Sequence, residues 1–253
     1  MAQPQPTPEP QSLLDAYCAE PGVFDELRDG AGAVRAHWQH LAASLDAMGR
    51  AELERRREQA ARLVHENGIT YNVYDDPRGM DRPWALDVLP TVLPESEWAA
   101  ISAGLTQRAH LLNLILADLY GPQRLVYDGV IPPEYVFANP KFLRACHGIT
   151  PAGGNHVNFY AADLARGADG QWLVLSDWTQ SPAGAGYALE NRIVTSRVYP
   201  RLYRESNVHR LAGFFDRLRT QLRALAPYNR DNPNIVLLTP GPSMLLIVGT
   251  ALE

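Results

Sequence analysis

Residues 171–192 read QWLVLSDWTQSPAGAGYALENR, and this stretch decides the fold. The apolar run Trp172–Leu175 predicts a buried strand, and an acid, Asp177, follows at its end. The polar loop Thr179–Gly186 then leads into a helix that we expect to open at Tyr187. A strand, an acid, a glycine loop and a helix in this order can hold a phosphate or a metal-bound nucleotide. Ordinary strand-to-helix turns have the same order, so the pattern leaves both interpretations open.

The composition excludes several classes of function. Of 253 residues, 46% are hydrophobic and 20% are charged, which is typical of a globular protein. The formal net charge of −5 argues against general nucleic-acid binding, which needs a basic surface. No run of 18 apolar residues occurs, so we expect no membrane span. The two cysteines, Cys18 and Cys146, are too few for a disulfide framework and fit a reducing, cytoplasmic location.

The pattern of apolar residues predicts mixed α and β structure in four parts. We expect a disordered tail at 1–12, a helical segment at 13–67, an α/β domain at 68–231 and the start of a second α/β unit at 232–253. Helices are predicted at Leu13–Glu20, Ala33–Ala47, Ala51–Glu66, Pro94–Tyr120, Tyr187–Tyr203 and Val208–Leu225. Strands are predicted at Ile69–Tyr74, Val157–Leu164, Trp172–Leu175 and Ile235–Leu238.

Four motifs carry a resemblance to a known family. They are GITYNVYDDPRGMDRPWALDVLP (Gly68–Pro90), LADLYGPQRLVYDGVIPPEYVF (Leu116–Phe137), the long stretch Phe142–Arg192, and NPNIVLLTPGP (Asn232–Pro242). With these motifs the chain resembles the circularly permuted ATP-grasp family, in the branch linked to α-helical alpha-E domains. The resemblance implies an α/β (α+β) fold with an ATP-grasp-like mixed sheet and packed helices, circularly permuted and here incomplete.

The resemblance also implies a function. It indicates the N-terminal part of a bacterial, ATP-dependent carboxylate–amine ligase, in which ATP and Mg²⁺ activate a carboxylate as an acyl phosphate. Family members continue well beyond LLTPGP, so we expect a truncated chain that is inactive alone. Its implied partners are an alpha-E domain protein or the missing C-terminal half, with a small-molecule or peptide substrate. The alternative is a non-catalytic module that binds a nucleotide, a peptide or a partner protein.

The resemblance assigns site residues around the loop. Asp177, Thr179 and Gln180 match the branch pattern, whereas Trp178 stands in place of an Arg and Asn158 in place of a His. The general ATP-grasp pattern has Glu-x-Asn as metal ligands at the strand end, where this chain has Ser176 and Trp178. We therefore assign Asp177 as the metal ligand. The expected nucleotide- and substrate-binding residues are Asn158, Trp178, Thr179, Gln180, Gly184, Gly186, Asn191 and Arg192.

The turn RGADG, Arg166–Gly170, predicts a β-hairpin. A symmetric closure would place Asn158 opposite Trp178, so that the two departures from the family pattern share one face. A changed phosphate or substrate contact and simple repacking both remain open for this pair. The same register places Asp163 about 13 Å from Asp177 along the strand, which excludes an acid–base pair. We expect Asp163 to cap the hairpin turn instead.

Overall fold

The computed structural model describes residues 12–70, 82–226 and 233–236 of the chain. The long helices are α1 (Gln39–Glu66) and α2 (Glu95–Leu119), followed by the short helices α3 (Arg124–Tyr127) and α4 (Pro133–Phe137). A β-hairpin follows, made of β1 (Ala161–Arg166) and β2 (Trp172–Trp178), and then α5 (Ala185–Val198), α6 (Pro200–Glu205) and α7 (Ala212–Ala224). Helices and a small antiparallel sheet confirm the predicted α+β class.

The core lies where α1 packs against α5. Ala60 and Val64 of α1 meet Val194 and Val198 of α5, and all four side chains are buried. These residues recur at helical spacing, so each helix presents one apolar stripe to the other. Arg56 of α1 donates a hydrogen bond to the Val198 carbonyl at 2.5 Å, which satisfies an otherwise free carbonyl in the last turn of α5.

Helix boundaries follow the sequence well where the apolar pattern is long. The helix predicted at Pro94–Tyr120 is observed as α2, and the two helices predicted before residue 67 merge into α1 across a kink at Gly49. The helix predicted at Leu13–Glu20 is wrong, because the structure has only turns there. Eight residues are too few for a helix that no apolar stripe holds against the core. Among the described residues, no helix is long and apolar enough to cross a membrane.

Two predicted strands lie partly outside the described residues. The strand at Ile69–Tyr74 is described only at its start, where Thr70 forms an isolated bridge with Pro83. Of the strand at Ile235–Leu238, the described residues Ile235 and Val236 belong to no strand.

Arg166, the last residue of β1, joins three parts of the chain. Its side chain is only 8% exposed. Its Nε donates to Glu26 of the N-terminal segment at 2.6 Å, and its Nη2 donates to Glu97 of α2 at 2.6 Å. The guanidinium also lies between the rings of Phe24 and Trp172, at 4.5 and 4.3 Å from their centroids. This Arg166 cluster therefore ties the N-terminal segment and α2 to the hairpin through charge and stacking.

The observed hairpin register differs from the predicted one. Arg166 pairs with Trp172, and Ala161 pairs with Trp178, with a bulge between Asp163 and Leu164. The predicted pairing of Asn158 with Trp178 is therefore wrong. The turn closes one residue tighter at each strand than symmetric closure assumes, because Gly170 adopts a left-handed conformation with φ +80°. The bulge then adds one further residue on β2.

The expected capping role of Asp163 is also wrong. Asp169 lies within the turn, and its carboxylate accepts a hydrogen bond from the Gln171 N–H at 3.0 Å. The Gly167 N–H donates to the Gln171 carbonyl at 2.8 Å and completes the turn. An Asp that accepts from the backbone two residues on is a common turn former, and it leaves Asp163 to make other contacts.

We predict that Arg166→Met lowers the free energy of unfolding by roughly 3 kcal/mol, the lower end of the range for removing one partner of a buried ion pair. The methionine fills the volume but leaves two partly buried carboxylates without a cation. Urea denaturation would measure the loss. Arg201→Met is the matched control, since Arg201 is 86% exposed and pairs only with Glu205 on its own helix. Equal stability of wild type and Arg166→Met would show that the cluster does not hold the fold together.

Candidate functional site

The predicted order of strand, acid, loop and helix is observed at the end of β2. β2 ends at Trp178, the loop spans residues 179–184, and α5 begins at Ala185, two residues before the predicted start. Gly184 precedes the helix with φ +98°, a conformation that strains any other residue. Gly184 has no side chain with which to cap α5, so the first N–H groups of the helix face the loop.

Asp177 is held by two side chains from elsewhere in the fold. Arg108 of α2 donates from Nε to Oδ1 and from Nη2 to Oδ2, both at 2.6 Å. Tyr160, just before β1, donates its hydroxyl to Oδ1 at 2.6 Å. The Arg108 hydrogen bond holds the pKa of Asp177 below its ordinary value. Asp177 is thus an ionised carboxylate in a bidentate pair with a guanidinium, the strongest common form of such a contact.

Tyr160 is the neutral donor of this cluster. Partial burial, followed by the hydrogen bond to Asp177, raises the pKa of Tyr160 to about 12. The phenol therefore remains protonated at neutral pH and can only strengthen the negative charge's preference for this position. Asp177, Arg108 and Tyr160 form what is called below the Asp177 cluster.

The alignment of β2 with α2 explains why Asp177 reaches Arg108. Trp172, at the start of β2, donates to Glu97 of α2 at 3.3 Å, and Asp177 meets Arg108 further along both elements. Glu97 and Arg108 are three helical turns apart on one face, a rise of about 16 Å. Trp172 and Asp177 are five strand residues apart, also about 16 Å. The strand and the helix therefore run side by side, joined at two points of equal spacing.

The bulge makes this two-point alignment possible. In a regular strand, residues five apart point to opposite faces of the sheet. The extra residue at the bulge restores the same face, so both Trp172 and Asp177 reach α2. A bulge beside a candidate site is typical of positions where a strand re-aims one side chain.

The positions on either side of Asp177 form a separate network. Ser176 donates its hydroxyl to Asp163 at 2.5 Å, and Trp178 donates its indole N–H to the same carboxylate oxygen at 2.7 Å. The Ser176 hydrogen bond holds the pKa of Asp163 below its ordinary value. Asp163 pairs with Ser176 across the hairpin, whereas Asp177 pairs with Ala162. The two carboxylates therefore belong to opposite faces of the hairpin.

The other predicted site residues divide into two groups. Thr179, Gln180, Gly184 and Gly186 are exposed around the loop, and Arg192 is half-buried on the following helix. Asn191 instead accepts a hydrogen bond from the Trp84 indole at 2.8 Å, a contact that ties α5 to the segment before α2. Asn158 lies outside β1 and donates to the Asn155 carbonyl at 3.3 Å. The structure thus gathers the loop residues near Asp177 and places Asn191 and Asn158 in contacts of their own.

Comparison with known families matches this region. The family described as circularly permuted ATP-grasp type 2 matches residues 90–246. The chain belongs to the circularly permuted ATP-grasp family. The matched range includes α2, the hairpin, the loop and α5, which together carry the Asp177 cluster. The predicted family is thereby confirmed.

Related proteins of this circularly permuted ATP-grasp family are much longer. The chain is 40% identical over 239 residues to an uncharacterized protein of Mycobacterium tuberculosis, covering 91% of this chain and 27% of that relative. An uncharacterized protein of Mycobacterium leprae is 36% identical over 219 residues, 87% of this chain and 38% of the relative. One from Synechocystis is 35% identical over 232 residues, 90% and 47%. The chain thus spans a quarter to a half of these relatives' length.

The residues of this ATP-grasp chain do not fit a divalent metal ion as they are arranged. Among the described residues, no group of three or more His, Cys, Asp or Glu side chains could hold one. At the end of β2, Asp177 already shares both oxygens with Arg108, and Ser176 and Trp178 are turned to Asp163. Mg²⁺ prefers carboxylate oxygens and water in octahedral geometry. The assignment of Asp177 as a metal ligand stays a prediction.

Sequence reasoning missed Arg108 and Tyr160. Arg108 lies 69 residues before Asp177, within a helix whose apolar spacing indicated only core packing. Tyr160 lies in a stretch that was expected to be strand. The one signal for Arg108 is its spacing of three helical turns from Glu97, and this spacing has meaning only once the bulge is known.

We predict that Asp177→Asn lowers the melting temperature at pH 7 and that the difference from wild type shrinks in acid. The pKa of Asp177 is lowered from 3.8, so its pair with Arg108 stabilises the fold above that value. The stabilisation is lost as pH falls through the lower, folded-state pKa. Thermal unfolding at pH 7 and pH 3 measures both differences. Asp216→Asn is the control, because Asp216 forms only an exposed pair with Arg219. A difference that stays constant down to pH 3 would contradict the pairing.

Proposed function

We propose that this chain supplies one part of an ATP-dependent carboxylate–amine ligase of the ATP-grasp type, and that it is inactive without the further polypeptide that its relatives carry. The observation that supports this most is the loop between β2 and α5, with an ionised carboxylate fixed at its start. This arrangement falls within the range that matches the family.

The loop and its surroundings suit the binding of a phosphate group. The uncapped N–H groups at the start of α5 point toward the loop, and the positive end of the helix dipole adds to them. Gly184 and Gly186 leave the backbone open to close approach. Arg192, on the second turn of α5, and Arg108 of the Asp177 cluster are the nearby cations. ATP, when bound, supplies the phosphoryl group that activates the carboxylate, and these residues orient its phosphates.

The hairpin supports the need for further polypeptide. Leu173 and Leu175 of β2 are 53% and 66% exposed, and among the described residues the sheet has only two strands. A two-stranded sheet with an exposed apolar face is marginally stable in water and gains from a third strand. We assign this face to the segment that follows the matched region in the longer relatives, whose length exceeds that of this chain two- to fourfold. An alpha-E domain protein is the second partner that we propose.

The proposed location is the cytoplasm. Cys18 and Cys146 are both free thiols in the structure, as expected in a reducing compartment.

A second candidate function is a non-catalytic binding module. The network in which Ser176 and Trp178 both donate to Asp163 supports it. These are the positions where the general ATP-grasp pattern has metal-binding side chains, and here both serve the hairpin itself. Such a module would use the loop and α5 to hold a nucleotide, a peptide or a partner protein without turning over ATP.

We predict that the purified 253-residue chain alone releases no ADP from ATP in response to a panel of amino acids and small carboxylates. We further expect ADP release to appear when the chain is co-expressed with the segment that follows the matched region in the Mycobacterium tuberculosis relative. Coupled ADP detection measures both. Substrate-dependent release by the chain alone that Asp177→Ala abolishes would sink the requirement for further polypeptide.

The hairpin face provides the control for this experiment. Leu173→Ser combined with Leu175→Ser should prevent complex formation in size-exclusion chromatography while the chain alone stays folded. Leu222→Ser, on the distant helix α7, changes an apolar side chain that is 38% exposed and should leave the complex intact. A stable complex that contains ATP but never releases ADP would favour the binding module.

A further inference from the structure

The Asp177 cluster already contains a cation. The Arg108 guanidinium faces both oxygens of Asp177 in the fork geometry that matches a carboxylate. Tyr160 takes a further acceptor position on Oδ1. Arg108 thus contacts the same two oxygens that a divalent ion would coordinate.

The charge of the cluster opposes a second cation. Asp177 and Arg108 together carry no net charge, and Tyr160 is neutral. A divalent ion bound to Asp177 would lie within a few ångströms of the guanidinium, and like charges at that distance repel strongly. Asp163 cannot offset this repulsion, because it lies on the opposite face of the hairpin and accepts from Ser176 and Trp178.

We propose that Arg108 is the resident cation of this strand end and competes with divalent metal ions for Asp177. The fixed guanidinium takes the position that the family pattern gives to a metal ion, and affinity for a metal emerges only when Arg108 is removed or drawn away. The proposal deepens the proposed function, since it concerns the same strand end. Its test uses neither ATP nor turnover, so the two can fail separately.

The geometry indicates how the competition is maintained. Arg108 lies on α2, a helix of 25 residues, and its partner is fixed by the strand–helix alignment that the Arg166 cluster sets at the other end. Holding both side chains in place lowers the entropy cost of the pair, which lets an Arg108 side chain that is 46% exposed stay bound to Asp177. A mobile arginine on a loop would yield far more readily.

The experiment titrates Mn²⁺ alone into the full chain by isothermal titration calorimetry. Arg108→Gln removes the charge and keeps a side chain of similar polarity. We expect this variant to bind Mn²⁺ at least about tenfold more tightly than wild type, because one repelling charge is lost. Adding Asp177→Asn to it should reverse the gain. Arg108→Lys keeps the charge and should show no gain, and Arg201→Gln controls for loss of any surface arginine.

Three results would overturn the proposal. The first is equal Mn²⁺ affinity, or equal absence of saturable binding, in wild type and Arg108→Gln. The second is a gain in Arg108→Gln that persists after Asp177→Asn. The third does not depend on how the Arg108 variants fold: a wild-type protein that binds Mn²⁺ and loses that binding in Asp177→Asn alone would show that the metal displaces Arg108 unaided.

Discussion

The structure depends on one nearly buried guanidinium, that of Arg166. Two carboxylates from distant parts of the chain, Glu26 and Glu97, meet it, and the rings of Phe24 and Trp172 enclose it. A buried charge is costly unless its hydrogen bonds are satisfied, and here Nε and both Nη atoms have acceptors. The cost of leaving Arg166 unpaired therefore forces the N-terminal segment, α2 and the hairpin together.

The position of the site follows from this constraint. Once Trp172 is fixed against Glu97, the strand can only continue along α2, and five residues of strand match three turns of helix. The bulge turns Asp177 toward Arg108 at the far end of this alignment. The chain thus uses a structural ion pair at one end to hold a functional carboxylate at the other. A family site built in this way tolerates loss of the usual flanking ligands, since Asp177 keeps its orientation without them.

Sequence reasoning could predict the elements but not their register. The long apolar spacing of α2, the strand–loop–helix order and the family all followed from local patterns, and each is confirmed. The pairing of Asn158 with Trp178 failed because a bulge and a left-handed Gly170 shift the register, and neither has a local signature strong enough to read. Arg108 was missed for the same reason, since a residue on one helix becomes a partner of Asp177 only after the register is known.

The most direct test of this account is an NMR measurement of arginine side chains. The Nε–H signal of Arg108, assigned by its absence in Arg108→Lys, should be slow to exchange in wild type because Asp177 accepts it. We predict that Arg166→Met, in protein whose circular dichroism shows intact helices, loses this protection, since the strand no longer aligns with α2. A protected Arg108 signal in Arg166→Met would show that the Asp177 cluster forms without the Arg166 cluster and would contradict the account.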